Sequence, residues 1–235
     1  MKELFFLISE LNYQPFILSF KLAALTSIIL FSLCLPLAWY LSQTKSKIKP
    51  YLEAISALPI VLPPSVIGFY ILISLSPTSA IGGFFNDVFG ISLVFNFSSL
   101  VIASCFYSLP FMVQPLQSAF EKLNQNMLDA SYLAGKSTLE TIIRVALPNM
   151  KPAVLSAFVI TFAHTVGEFG VVLMIGGSIE GETKVASLAI YEFVEVLDYQ
   201  SAHIYSFIML ALSFIVLLGV YIFNAKSKKR FGEFI

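Results

Sequence analysis

Hydrophobic positions in this chain come in long runs with little internal periodicity. Five stretches, residues 16–41, 54–75, 98–120, 153–175 and 204–223, carry almost no charge. Each reaches the roughly 20 residues a helix needs to cross about 30 Å of hydrocarbon. Barrel strands are about half that length and alternate polar with apolar residues, so the runs predict helices. The expected fold is therefore all-α, a polytopic transmembrane bundle of five spans forming one domain over residues 1–235. A sixth run, 184–196, is too short to cross and predicts a helix dipping into the membrane edge.

Charge sets the orientation. Lys45, Lys47 and Lys49 follow the first span; Lys122, Lys136, Arg144 and Lys151 lie between the third and fourth; Lys226, Lys228, Lys229 and Arg230 follow the fifth. By the positive-inside rule that side faces the cytoplasm, with the N-terminus outside and the C-terminus inside. The opposite connections carry Asp87, Glu180, Glu182, Glu192, Glu195 and Asp198. The apolar run at 4–8, between Lys2 and Glu10, is too short for a cleaved signal and is expected to be retained.

Composition agrees: 57% of residues are hydrophobic and 12% charged, too few charges to cover a water-soluble surface. Lys plus Arg and Asp plus Glu number 14 each, which removes nucleic acid as a partner and leaves the lipid bilayer as the solvent. Cys34 and Cys105 sit inside apolar runs and read as small hydrophobes.

Certain residues are out of place in lipid. Pro63, Pro64, Ser65 and Gly68 fall together in the second span, where prolines free carbonyls that need protein or water beside them. Pro110 and Pro115 repeat the theme in the third span. Lys21 is close enough to the outer boundary to snorkel. His164 and Glu168, one turn apart, predict a helix face turned into the bundle, either fixing a packed interface or serving a gate. Gly167 and Gly170 bracket Glu168 and predict a close helix contact, while Gly176 and Gly177 end the span.

Residues 124–148 are better patterned than a simple connector and predict two short helices, a cytoplasmic segment within the same domain. Asn126 begins the first and Gly135 ends it in the left-handed conformation. Ser137 and Glu140 form a capping box for the second, which Pro148 stops. Ala130 and Ala134 give the first helix a small-residue stripe suited to docking in a groove of another protein. The string Gly135-Lys136-Ser137 is not a phosphate loop: Ala130 stands where the first glycine belongs, and a helix precedes it in place of a strand.

Asp129 to Pro148 resembles the cytoplasmic loop of bacterial ABC importer permeases, E-A-A, three residues, G, nine residues, I-x-L-P. Asp129, Ala130 and Ser131 stand for E-A-A, Gly135 is in place, Val145 replaces the Ile, and Leu147 and Pro148 complete it. With L-P-I-V-L-P-P-S-V-I-G-F-Y, S-L-P-F-M-V-Q-P-L and G-E-F-G-V-V-L-M-I-G-G, the chain is similar to the molybdate importer permeases from about residue 16 to 223. It departs at His164, where these permeases usually carry Arg.

The resemblance implies an inner-membrane permease of bacterial or archaeal cells, not an enzyme. It implies a homodimer with two cytoplasmic ABC ATPases beneath and an extracytoplasmic oxyanion-binding protein above. Asp129, Ala130, Ser131, Ala134, Gly135, Glu140, Leu147 and Pro148 would couple to the ATPase. Pro63, Pro64, Ser65, Gly68, His164, Gly167, Glu168 and Gly170 would line or gate the path. No cofactor belongs to this chain, since ATP and Mg would sit on the partner subunit. Tungstate or sulfate permeases share the framework, and an intramembrane enzyme or sensor built on His164 and Glu168 is the distant alternative. Bringing a divalent anion in against about 100 mV costs roughly 4.6 kcal/mol, so the transport reading requires an energy source.

Overall fold

The computed structural model describes residues 12–232. The apolar run at 4–8, with Lys2 and Glu10, lies outside the described residues. The elements are α1 (Gln14–Gln43), α2 (Lys49–Val61), α3 (Pro64–Leu75), α4 (Ala80–Phe89), α5 (Phe97–Glu121) and α6 (Gln125–Leu133). They continue as α7 (Thr138–Asn149), α8 (Lys151–Val166), α9 (Gly170–Gly176), α10 (Ala186–Glu195) and α11 (Tyr199–Gly232). Among the described residues there is no strand.

Contacts between distant parts of the chain sort the helix ends into two groups. At one end Lys49 Nζ lies 3.2 Å from Glu121 Oε1, and Gln117 Nε2 donates to Glu53 Oε1 at 2.6 Å. This joins the start of α2 to the end of α5. At the other end the Tyr205 hydroxyl donates to the Asn12 carbonyl at 2.9 Å, and the Phe95 N–H to the Ile175 carbonyl at 3.0 Å. The passages therefore alternate in direction, and the basic connections share one end. Three helices, α1, α5 and α11, are long and apolar enough to cross a membrane, or up to five passages if each of two bent pairs counts as one.

The bends correct the expectation of continuous spans. The second passage is two helices, α2 and α3, bent by 112°. Pro63 has extended geometry (ψ 138°) and Pro64 opens α3, where its missing N–H costs nothing. Pro110 and Pro115 behave differently: α5 runs through both. The fourth passage is interrupted as well, α8 ending at Val166 and α9 starting at Gly170. Residues 186–195 form the expected short helix, rising about 15 Å, half of what a crossing needs.

Two cores are stacked along the bundle. One joins Leu22, Leu100, Val171, Ile175 and Leu188 near the Asn12 end; the other joins Leu41, Met112, Leu116, Phe120 and Ala146 toward the basic end. Phe16 stacks on Tyr205 with centroids 5.0 Å apart, tying α1 to α11. Lys21 extends as expected toward its own end of the bundle, its Nζ 4.5 Å from the centre of the Phe97 ring.

Candidate functional site: the paired breaks and the two-helix knob

The two interrupted passages meet at their breaks. A Cβ on Gly170 would stand 2.8 Å from Pro64 Cβ, and one on Gly68 would stand 2.7 Å from Met174 Cβ. Both are closer than real Cβ atoms approach, so α3 and α9 lie side by side only because these positions lack side chains. Gly170 thus makes the predicted close contact, and Gly68, expected only to line the path, makes a second one beside it. Gly167 does not: a Cβ there would meet only carbonyls of its own chain at 3.6 Å and beyond. Pro63, Pro64 and Ser65 are exposed beside this contact.

Glu168 lies in the non-helical gap between α8 and α9, not one turn along a continuous helix from His164. Its side chain nevertheless turns into the bundle and is 4% exposed. Ser104 Oγ donates to Glu168 Oε2 at 2.8 Å, and Ser187 Oγ donates to the Glu168 backbone carbonyl at 2.7 Å. The gap is thereby pinned to α5 on one side and α10 on the other. Glu168 Oε1 is buried with no hydrogen-bond partner, and this carboxyl makes no ion pair among the described residues.

His164 faces the same helix. Its Nδ1 is 3.0 Å from Ser108 Oγ, which is also 2.9 Å from Thr165 Oγ1, and its ring stacks on Phe111 at 3.9 Å. Ser104 and Ser108 are four apart on α5, so one face of that helix serves both His164 and Glu168. Sequence reasoning missed these serines and Ser187. Their spacing inside an apolar span was a signal, but it could not say which helix they meet. Among the described residues no group of three or more His, Cys, Asp or Glu stands together to hold a metal.

The knob is α6 and α7. Asn124, not Asn126, caps α6, its side chain accepting from the Asn126 N–H at 3.0 Å. Gly135 has φ +77°, the left-handed conformation expected. Ser137 and Glu140 form the capping box. Hydrogen bonds from the Ser137 backbone N–H and hydroxyl hold the Glu140 carboxyl below its usual range, with Arg144 and Lys136 adding to the effect. Pro148 does not stop the second helix: residues Ile142–Ala146 widen into a π turn that carries the chain on to Asn149. The chain then bends by 86° into α8.

Asp129, Ala130, Ala134 and Gly135 are exposed, and Leu133 (89%), Leu139 (65%) and Ile143 (52%) add an apolar surface. Ser131 points the other way. It is buried, its Oγ 2.9 Å from Thr141 Oγ1, and so joins α6 to α7 without facing outward. Glu140 serves as a cap, and Leu147 and Pro148 are half-buried at the elbow.

A bundle of up to five passages, two of them broken, carrying a two-helix knob at its basic end is the architecture of an importer's membrane subunit. Residues 23–229 match the family described as binding-protein-dependent transport system inner membrane component, and the chain belongs to that family. It is similar to the molybdenum transport system permease protein ModB of Azotobacter vinelandii, 41% identical over 224 residues, covering 95% of this chain and 97% of the relative. It is also similar to the sulfate transport system permease protein CysT of Salmonella typhimurium, 30% identical, covering 83% of this chain and 70% of the relative. A bacterial alginate ABC transporter, solved in complex with an alginate pentasaccharide-bound periplasmic protein, shares the fold. Its TM-score is 0.72 at 17% identity, covering 94% of this chain and 80% of that one.

The resemblance drawn from the cytoplasmic loop therefore holds. The chain is a multi-pass inner-membrane component and a permease subunit, with ATP hydrolysis on a separate subunit.

Proposed function

We propose that this chain is the membrane-spanning subunit of a molybdate importer. The observation that carries the reading is the 41% identity to ModB across nearly the whole of both chains, against about 30% for the sulfate permease. Sulfate is the second reading, favoured by CysT relatives at 28–31% identity. Competition settles the choice: labelled molybdate uptake by cells carrying the complete system should be displaced by unlabelled molybdate and tungstate far better than by sulfate. Displacement led by sulfate would overturn the proposal.

In this reading two copies face each other and the basic end is cytoplasmic. The knob formed by residues 124–148 seats its Leu133 and Leu139 surface in an ATPase subunit, which carries ATP and Mg. A binding protein delivers the oxyanion at the Asn12 end. The α3–α9 contact, with Pro63, Pro64 and Ser65 beside it, forms the moving part of the path. Lys21 is occupied with Phe97 near the outer boundary, so the spans offer the anion no strong fixed charge. Specificity then rests on the binding protein. The isolated permease should bind molybdate far more weakly than the complete complex, and comparable submicromolar affinity would refute weak guidance.

A further inference from the structure

A groove of about 400 Å³ runs along the inside of the elbow where α7 turns into α8. Phe31 of α1, Ile143 and Leu147 of α7 and Val154, Leu155 and Phe158 of α8 line it, and Phe31 and Phe158 pack ring to ring at 4.9 Å in its wall. Lys151, the first residue of α8, is the one charged side chain in the lining. It is exposed, makes no ion pair among the described residues, and has no acidic residue in the first helical turn beside it. Nearby Arg144, by contrast, is matched with Glu140 at 3.8 Å.

The groove is apolar along its length and cationic at one rim. That rim lies where α7 meets α8, which in the orientation proposed above falls at the cytoplasmic headgroup level. We propose that it holds an anionic phospholipid of the cytoplasmic leaflet, an acyl chain lying on Phe31, Leu155 and Phe158 and the phosphate on Lys151. The proposal rests on the orientation given above, because anionic lipid is the complement that leaflet offers a juxtamembrane cation. The chain's own tail is a poor competitor, since Lys226, Lys228, Lys229 and Arg230 would be repelled by Lys151. A lipid here fills the inside of the 86° bend and braces the knob against the bundle.

The test uses the whole complex, delipidated and titrated with phosphatidylglycerol or phosphatidylcholine of identical chains, with bound lipid counted by native mass spectrometry. Wild type should retain phosphatidylglycerol about fivefold better, the preference one surface cation supplies. Lys151→Gln should bind both lipids equally, and Leu155→Trp, which fills the groove, should lose both. Because Leu155→Trp could fail to fold, Leu155→Cys labelled with a lipid-soluble maleimide provides a second arm, in which added phosphatidylglycerol should protect the thiol. Equal retention of the two lipids by wild type, or a preference that survives Lys151→Gln, would overturn the site. Cross-linking of Leu155→Cys to the ATPase, to a second copy or to the tail would do so too. None of these readings depends on which anion is transported, so loss of the molybdate assignment would leave them unaffected.

Discussion

Removing the Ser104 hydroxyl tests whether the gap between α8 and α9 is held by side-chain hydrogen bonding. Ser104 is fully buried and donates to Glu168 Oε2 at 2.8 Å, while Oε1 already lacks a partner. Ser104→Ala therefore leaves a carboxyl at 4% exposure with neither oxygen bonded by its neighbour helix. Side-chain hydrogen bonds between membrane helices average about 0.6 kcal/mol and reach about 1.7. Stranding a buried acceptor costs about 1–3 kcal/mol. Together these place the loss at about 1–2 kcal/mol. In a Glu168→Ala background the same substitution strands nothing and should cost less than about 0.5 kcal/mol, a coupling near 1 kcal/mol. Glu168→Gln keeps an acceptor for Ser104 and should recover most of the difference. Unfolding of the purified permease in mixed micelles measures all four corners of the cycle. If Ser104→Ala costs the same with and without Glu168, the gap is not held by this bond and the pinning argument fails.

Three further outcomes follow from the geometry. Gly68→Ala should destabilise by about 1–3 kcal/mol through overpacking, and Met174→Gly, which removes the opposing Cβ, should relieve much of that increment; a loss of equal size in both backgrounds would place the strain elsewhere. Gly135→Asp puts a side chain at φ +77° and a charge on the knob, so ATPase stimulation and transport in reconstituted vesicles should fall while the spans stay folded. Unchanged stimulation would argue against docking there. Because Glu140's carboxyl is held below its ordinary value of about 4.3, its capping contribution is complete above that pH and is lost as pH falls through the lowered folded value. Amide exchange over residues 137–141 should therefore separate wild type from Glu140→Ala at neutral pH and converge in acid; a gap persisting at low pH would contradict this account.

Much of this fold is legible because local backbone chemistry leaves local signatures. Gly135 announces a left-handed cap, Ser137 and Glu140 a capping box, and Pro63-Pro64 a place where a helix cannot continue. Pairing between helices leaves no such trace. In lipid a span is apolar all round, so periodicity does not report its rotation, and nothing local assigns Ser104 to Glu168 or turns Ser131 toward Thr141. The size of the bend at Leu62–Pro63 is hidden for the same reason: prolines permit a turn, but neighbouring helices set its angle, and α5 continues unbroken through two of them. Pro148 misled because the wide turn at Ile142–Ala146 re-phased the backbone just ahead of it.

Gly170 against Pro64 and Gly68 against Met174 are matched at a constant offset along two segments pointing the same way. A break in a lone helix is a loose joint, free to swing on its own. Two joints riveted at two points become a single stiff panel, so a tilt begun in either crossing must carry its neighbour with it.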